Sequence, residues 1–203
     1  MSHLTPPMAP SERTNNDKPK TVGIKVSEIT RGATSYRADV NQDGRARTIK
    51  DHLSGESQAR THGTLIETQL VAYTSDLATF LDVSEENGHT FQLRGTVSYR
   101  RSAGTEESHT VQAGSYLRMF EAGVHGEGKS MSYHIESREG EDGPLRVLSG
   151  HKIMTGDVSH IWREMSSVYV TLSGAGIDDA GEIGVLRVDP AEFFLDQLAS
   201  HEA

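Results

Sequence analysis

The sequence predicts a mainly β fold, in which about eight antiparallel strands close into a barrel and a short helix follows at the C-terminus. Short segments with alternating apolar residues recur along the chain from Val22 to Val188. Turn-forming residues separate these segments, and the chain contains 20 glycines. The strand-like segments do not alternate with long helical ones, so a parallel sheet crossed by helices is not expected.

The first predicted strand follows an N-terminal tail. Residues 1–20 are rich in proline, serine, asparagine and charged residues, so we expect a disordered tail followed by a single barrel domain over residues 21–203. Apolar residues then alternate with glycine or polar residues over 22–27, which predicts a strand. Residues 36–60 are polar, and their pattern predicts neither a helix nor a strand.

Seven further strands are predicted beyond residue 60. Thr64–Val71 alternates without a purely polar face, which is typical of a barrel with a mixed interior. The other six lie at Phe91–Val97, Val111–Ala122, Met131–Glu136, Leu145–Met154, Val168–Leu172 and Gly184–Val188. The pattern also predicts a short capped helix at Thr74–Leu81, turns at Asn87–Gly88 and Glu139–Gly143, a polar loop at Ser102–Ser108 and a terminal helix from Pro190. A meander of eight strands closes naturally into a lipocalin-like barrel that holds one ligand.

The net charge of −9 and the absence of cysteine exclude several classes of function. Without cysteine, disulfides, a zinc–thiolate site and a cysteine nucleophile are excluded. An acidic chain without a basic stripe is a poor partner for nucleic acid or anionic lipid. No apolar run approaches the ~20 residues that cross a bilayer, and the N-terminus lacks the apolar segment of a secretory signal. We therefore expect a cytoplasmic protein with no membrane insertion, whose partner is a lipophilic small molecule. Exposed strand edges would allow a homodimer.

The segment Gly123–Ser130 fits the pattern G-x-x-x-x-G-K-[ST] of a phosphate-binding loop. Such a loop needs a helix directly after it, because the helix N-terminus and the loop amides hold the phosphates. Here the following residues alternate as a strand, and Glu127 would repel phosphate. The sequence therefore favours a glycine-rich hairpin turn over nucleotide binding.

The ten histidines and the serines show no spacing of a known metal or hydrolase motif. HxH, HExxH and G-x-S-x-G are all absent. His125 and His134, or His151 and His160, could meet in three dimensions, but surface or hydrogen-bonded histidines are favoured. We therefore expect a site with no metal and no cofactor.

Aromatic, methionine and acidic side chains of the predicted strands are the candidate site residues. The candidate catalytic residues are Tyr133, Glu164 and Tyr169, and the candidate substrate-binding residues are Tyr116, Met119, Phe120, His151 and Trp162. A tyrosine can pack against an apolar ligand and polarise its carbonyl with the hydroxyl. Glu164 or Glu67, if it faces the interior, would have a raised pKa and act as an acid, a base or a hydrogen-bond donor. Core packing is the alternative for the aromatic residues, and a solvent-facing position is the alternative for the carboxylates.

The second half of the chain resembles a known domain. The residues that carry the resemblance are Met131, Tyr133, Gly150, Lys152, Asp157, Trp162, Val168–Thr171 and Gly184–Phe193. With these residues the chain resembles the C-terminal domain of actinobacterial cholesterol-oxidase-type members of the glucose-methanol-choline oxidoreductase family, over residues 62–199. That family has an acidic residue and three threonines between the tryptophan and the Tyr-Val-Thr run, where this chain has Arg163–Ser167.

The flavin-binding domain of those oxidases is not found in this sequence, and no Gly-x-Gly-x-x-Gly follows the first strand. The resemblance therefore implies a domain for an apolar ligand, separate from its oxidase, rather than sterol oxidation. By fold analogy, lipocalin-like barrels also occur as stand-alone cyclases in actinobacterial polyketide pathways. Two functions are expected: a cofactor-independent cyclase of the [4+2] type for a polyketide or polyene, which is favoured, or a non-catalytic binder of sterol-like or other apolar molecules.

Overall fold

The computed structural model describes residues 24–36, 49–74, 89–101, 104–122, 129–154, 159, 161–177, 179 and 181–188. These residues contain nine strands and two helices. The strands are β1 (Ile24–Tyr36), β2 (Thr64–Thr74), β3 (His89–Arg101), β4 (Glu106–Val111), β5 (Tyr116–Ala122), β6 (Lys129–Arg138), β7 (Leu145–Met154), β8 (Ser167–Gly174) and β9 (Glu182–Val188). The helices are α1 (Ile49–His62) and α2 (Ile161–Ser166).

The strands form one closed antiparallel barrel, which confirms the predicted fold class. β2 pairs with β3, and each strand from β5 to β8 pairs with the strand that follows it in the chain. β1 lies between β9 and β2 and pairs with both. β4 and β5 lie end to end between β3 and β6, so the nine strands occupy eight positions around the ring. The barrel is therefore a meander in which the first strand closes the ring.

The prediction of one strand over Val111–Ala122 is wrong, because the chain turns between β4 and β5. The Ser115 amide donates to the Gln112 carbonyl over 3.0 Å and closes this turn. The Gln112 amide still donates to the Glu136 carbonyl of β6 over 2.8 Å. The turn thus interrupts the strand without moving the chain out of its place in the barrel.

The polar loop predicted at Ser102–Ser108 is wrong in its second half, since β4 begins at Glu106. Glu107 and His109 lie opposite two buried residues of β3 and share their inner face. An acidic residue and an imidazole on an inner face remove the apolar alternation by which a strand is found in a sequence. This is why the segment has the composition of a loop.

Apolar side chains fill the middle of the barrel. On β2, for example, Ile66 and Leu70 are buried, whereas Leu65 and Gln69 on the other face are exposed. The apolar core consists of Ile66, Leu70, Ala72, Phe91, Leu93, Val97, Tyr99, Val111, Leu117, Met131, Tyr133, Ile135, Leu148, Val168, Val170, Leu172 and Leu186. Side chains from opposite walls meet inside a barrel of eight strands. They leave a cavity of about 10 Å³, which is room for about one water molecule.

α1 packs on the outer wall of the barrel against β1 and β9. Its contact surface is made of small residues: Gly55 lies directly against Ile183, and Ala59 is buried. The Ser35 hydroxyl donates to the Gly55 carbonyl over 2.8 Å. Because glycine and alanine give almost no amphipathic pattern, residues 36–60 gave no prediction of a helix.

Several predicted elements lie outside the described residues. They are the tail at 1–20, the start of the first strand at 22–23, the capped helix at 75–81, the turn at Asn87–Gly88 and the terminal helix from Pro190. The other predicted strand positions are confirmed, and β7 has the predicted ends Leu145 and Met154. None of the helices in the described part of the chain is long and apolar enough to cross a membrane.

Two antiparallel strands flank the phosphate-binding-loop pattern. Residues 123–128 connect β5 to β6, and these two strands pair with each other in antiparallel fashion. β6 begins at Lys129, so a strand follows the pattern where a phosphate-binding loop would have a helix. The antiparallel pairing expected of a hairpin is confirmed, and residues 123–128 themselves lie outside the described residues.

Candidate functional site

A lysine, a glutamate and a tyrosine meet inside the barrel. The ammonium nitrogen of Lys152 on β7 lies 2.6 Å from Glu28 Oε2 on β1. The hydroxyl of Tyr133 on β6 donates to Glu28 Oε1 over 3.1 Å. β1 pairs with β2 and β9, so Glu28 reaches β6 and β7 across the lumen. We call these three residues the Lys152 cluster.

Strand alternation places the Lys152 cluster on the inner face. Lys152 and Glu28 each lie opposite a buried apolar residue of the neighbouring strand, and their side chains are only 5% and 16% exposed. Tyr133 lies opposite Gly150. A methyl group added at Gly150 would come within 2.8 Å of the Val168 side chain. Glycine there leaves the room that the inward side chains around it need.

The surroundings of Tyr133 keep its hydroxyl protonated. Burial raises the pKa of Tyr133 well above its usual value, and the negative charge and hydrogen bond of Glu28 raise it further. Tyr133 therefore acts as a hydrogen-bond donor and not as a base. The ammonium group of Lys152 lies 5.4 Å from the centre of the same ring, which adds a cation–π contact. The cluster thus offers donors in an apolar environment, the chemistry that polarises a carbonyl group.

Half-buried apolar side chains lie at the same end of the barrel as the Lys152 cluster. Ile24, Met119 and Met154 pack against the core from this end, where β1 begins and β7 ends. Methionine is unbranched and adapts its shape to irregular surfaces. We call these three residues the apolar rim. A rim of this kind above buried polar donors is the usual composition of a small-molecule site.

A second ion pair lies at the other end of the barrel. Arg146 Nη1 lies 2.7 Å from Glu107 Oε2, and the guanidinium group lies over the Tyr99 ring at 4.8 Å. The Tyr99 hydroxyl lies 3.0 Å from Ser137 Oγ, and burial raises the pKa of Tyr99 to about 12. Lys152 is further along the same strand, about 20 Å away at the usual rise per residue. We call Arg146, Glu107 and Tyr99 the Arg146 cluster. It contains the same three kinds of side chain as the Lys152 cluster, a cation, a carboxylate and a tyrosine, and therefore provides matched control positions.

Two of the eight predicted site residues have side chains on the inside of the barrel. Tyr133 belongs to the Lys152 cluster, and Met119 belongs to the apolar rim. Phe120 lies in β5, but its side chain lies outside the described part of the structure. The roles of these residues stay predictions.

Three predicted site residues lie on the outer face of the barrel and not in its lumen. Tyr116 stacks on the His134 ring at 5.3 Å outside β5 and β6. His151 and Tyr169 lie opposite each other on β7 and β8, and their rings are 5.7 Å apart. The neighbours of these residues along each strand face the lumen, as Leu117 does next to Tyr116. A shift of one residue along a strand reverses the face, and composition does not reveal that parity.

The remaining predicted site residues lie on α2 or on the outer wall. Glu164 and Trp162 belong to α2, and Trp162 is 43% exposed. Glu67 faces outwards and pairs with Arg31 over 2.8 Å. The Arg31 hydrogen bond lowers the pKa of Glu67, and its outward position corresponds to the solvent-facing alternative for the carboxylates.

His151 and Tyr169 form an aromatic cluster with a residue of α1. The ring of His52 lies 5.6 Å from that of His151 and 5.8 Å from that of Tyr169. His52 is 2% exposed, so the cluster joins the helix to the outer wall of β7 and β8. Burial lowers the pKa of His151. The cluster thus stabilises the helix on the barrel when His151 is neutral.

Acidification is expected to destabilise the protein through His151. Its pKa in the folded state lies below the value of 6.5 that applies to the unfolded chain. Its contribution to stability is therefore complete above pH 6.5 and is lost as the pH falls through the folded-state pKa. Thermal unfolding at about pH 7.5 and about pH 5.5 measures this loss, and His151→Gln should reduce it. Equal losses in the variant and the wild type would contradict the assignment.

A larger groove of about 590 Å³ lies on the outside of the barrel. Its lining includes Arg31, Glu56, Glu67, Arg100 and Glu106. Two of these carboxylates are already engaged, since Glu67 pairs with Arg31 and Glu56 pairs with Arg187. Ion pairs at an exposed surface contribute little free energy, whereas the donors of the Lys152 cluster are buried among apolar side chains. We therefore place the candidate site inside the barrel, at the Lys152 cluster.

Glu28 and Lys152 are site residues that the sequence predictions missed. Each continues an apolar alternation: Glu28 follows Ile24 and Val26 at the period of two, and Lys152 follows Leu148 and Gly150. A charged residue at the inward parity of a strand was the signal that could have found both. Lys152 was already among the residues of the oxidase resemblance, without a role.

No family model matches the chain, and no curated protein or solved structure matches it. The resemblance to the oxidase domain therefore stays a prediction. In the described residues, no group of three or more histidine, aspartate or glutamate side chains is placed to hold a metal ion.

Proposed function

We propose that the protein binds a lipophilic small molecule at the apolar rim and promotes its cyclisation without a cofactor, by hydrogen bonds from the Lys152 cluster to a carbonyl group. The observation that carries this proposal is the buried Lys152–Glu28–Tyr133 contact beneath the rim. The proposal includes a cytoplasmic location and, because the net charge is −9, no nucleic-acid partner. A homodimer stays a prediction from the sequence.

Two physical effects supply the proposed rate increase. A polyene that is held with its reacting ends near contact distance loses less entropy on reaching the transition state. This lowers the activation free energy by several kcal/mol. A hydrogen bond to a conjugated carbonyl withdraws electrons from the adjacent double bond and stabilises the transition state. In a [4+2] step, three π bonds become two new C–C bonds and one π bond, and no proton or electron leaves the substrate. Such a reaction needs a shaped site and donors, but no nucleophile and no metal.

The filled middle of the barrel limits where the molecule binds. A cavity of about 10 Å³ holds one water molecule and no polyketide. The molecule therefore lies at the end of the barrel, among Ile24, Met119 and Met154, and only its polar group approaches Lys152. The flexible side chains of the two methionines adjust to it.

A non-catalytic carrier of apolar molecules is the second candidate function. The hydrogen bond from Tyr133 to Glu28 favours this function, because it already occupies the hydroxyl proton of Tyr133. A catalytic donor is usually available to the substrate. The two candidates are separated by turnover. Native mass spectrometry of protein purified from its producing organism identifies a bound molecule, and incubation with its uncyclised form shows conversion or unchanged return.

Tyr133 donates its hydroxyl proton to Glu28 in the free protein, and the proposal has it turn this proton to the carbonyl of the bound molecule. Removal of the hydroxyl is therefore expected to slow the cyclisation by about a hundredfold, because one donor to the developing charge is lost. The variant is Tyr133→Phe, and the rate constant is measured on the molecule identified in the purified protein. Tyr99→Phe is the matched control, since it also removes one buried hydroxyl, at the far end of the barrel. Equal rates in the two variants would contradict a role for Tyr133.

A further inference from the structure

The Lys152 cluster is electrically balanced, and the described residues supply one carboxylate, that of Glu28, as acceptor for the three N–H donors of Lys152. It holds one cation and one anion, 2.6 Å apart. The single hydroxyl proton of Tyr133 is directed at the same carboxylate. The described part of the cluster thus has more donors than acceptor groups, and it already carries one negative charge.

We infer that the molecule bound at the apolar rim presents an uncharged carbonyl oxygen to Lys152, and that the Lys152–Glu28 pair selects such molecules over long-chain carboxylates and amines. This inference rests on the proposed function and names its ligand class. A carboxylate would place a second negative charge beside Glu28, and an amine would place a second positive charge beside Lys152. The cavity beside Glu28 and Tyr133 has a volume of about 10 Å³, so we expect little screening of either charge by water. A ketone, ester or amide oxygen accepts an N–H and leaves the pair balanced.

Three probes of similar chain length test this selection. They are methyl undecyl ketone, dodecanoate and dodecylamine, each titrated below its micelle concentration against a fluorescent apolar dye bound to the protein. We expect the wild type to bind the ketone about tenfold tighter than either charged probe. The apolar chains are alike, so the difference reports on the head group.

Substitution of Glu28 is expected to reverse the preference. Glu28→Gln leaves the Lys152 cation without a counter-charge, so dodecanoate should gain about tenfold over the ketone. The double variant Glu28→Gln/Lys152→Met has neither charge, so the gain of dodecanoate should disappear and the ketone should again bind more tightly than either charged probe, whose desolvation is uncompensated. Thermal unfolding of each variant verifies that it is folded before titration. Glu107→Gln removes the carboxylate of the Arg146 cluster and is the matched control, which should keep the wild-type preference.

The outcomes separate the inference from the proposed function. If the wild type binds none of the three probes and no dye, both the proposed function and the inference are wrong. If it binds them with equal affinity, or prefers dodecanoate, only the inference is overturned. An unchanged preference in Glu28→Gln would likewise overturn it, because the pair would then not control the choice.

Discussion

Replacement of Lys152 by methionine is expected to lower the free energy of unfolding by about 3–5 kcal/mol, the usual cost of removing one partner of a buried ion pair. Methionine keeps the apolar length of the side chain, so little packing is lost. The cost comes from Glu28, whose carboxylate is 16% exposed and would lose its cation. Urea unfolding of the wild type and the variant measures the difference.

The double variant Glu28→Gln/Lys152→Met provides the control for this prediction. It removes both charges, so the buried carboxylate that makes the single variant unstable is absent. We expect it to recover most of the lost stability, as replaced buried ion pairs often do. A double variant as unstable as Lys152→Met would show that the loss comes from packing and not from the uncompensated charge.

Replacement of Gly95 by alanine is expected to lower the free energy of unfolding by at least about 3 kcal/mol, since backbone strain and overlap act together. Gly95 lies in β3 with φ of 137°, a conformation that side chains rarely adopt. An added Cβ would overlap the backbone carbonyl oxygen of Gln69 on β2. The overlap would separate β2 from β3, two neighbouring strands of the ring.

Gly140→Ala is the matched control for Gly95. Gly140 also has a positive φ, of 70°, but nothing lies within 4 Å of an added Cβ. It should therefore show the conformational cost alone, about 1 kcal/mol. Thermal or urea unfolding of both variants tests the comparison, and equal losses would show that the overlap at Gln69 is relieved by a small shift of the strands.

Much of the strand arrangement could be predicted from local patterns. β7 has the predicted ends, and the positions of β2, β3, β6, β8 and β9 are confirmed. Alternation at a period of two depends on residues that are close together in the sequence, so it is visible without the fold. α1 was missed because its contact with the barrel uses Gly55 and Ala59, whose small side chains leave no amphipathic pattern.

The site was predicted less completely than the fold. Tyr133 lies on the inside of the barrel, whereas Tyr116, His151 and Tyr169 face outwards. The sequence shows that side chains alternate, whereas the pairing register decides which set faces the lumen. Aromatic composition alone therefore could not separate the inside from the outside.

The sequence by itself determined the mainly β class, most strand positions and the absence of cysteine chemistry. The tertiary structure decided that Glu28 meets Tyr133 and Lys152, which follow it by 105 and 124 residues in the chain. β1 is not a neighbour of β6 or β7 in the sheet, so no local pairing brings these side chains together. They meet because the ring of strands closes and opposite walls face each other across a narrow lumen, and no pattern confined to one strand contains that contact.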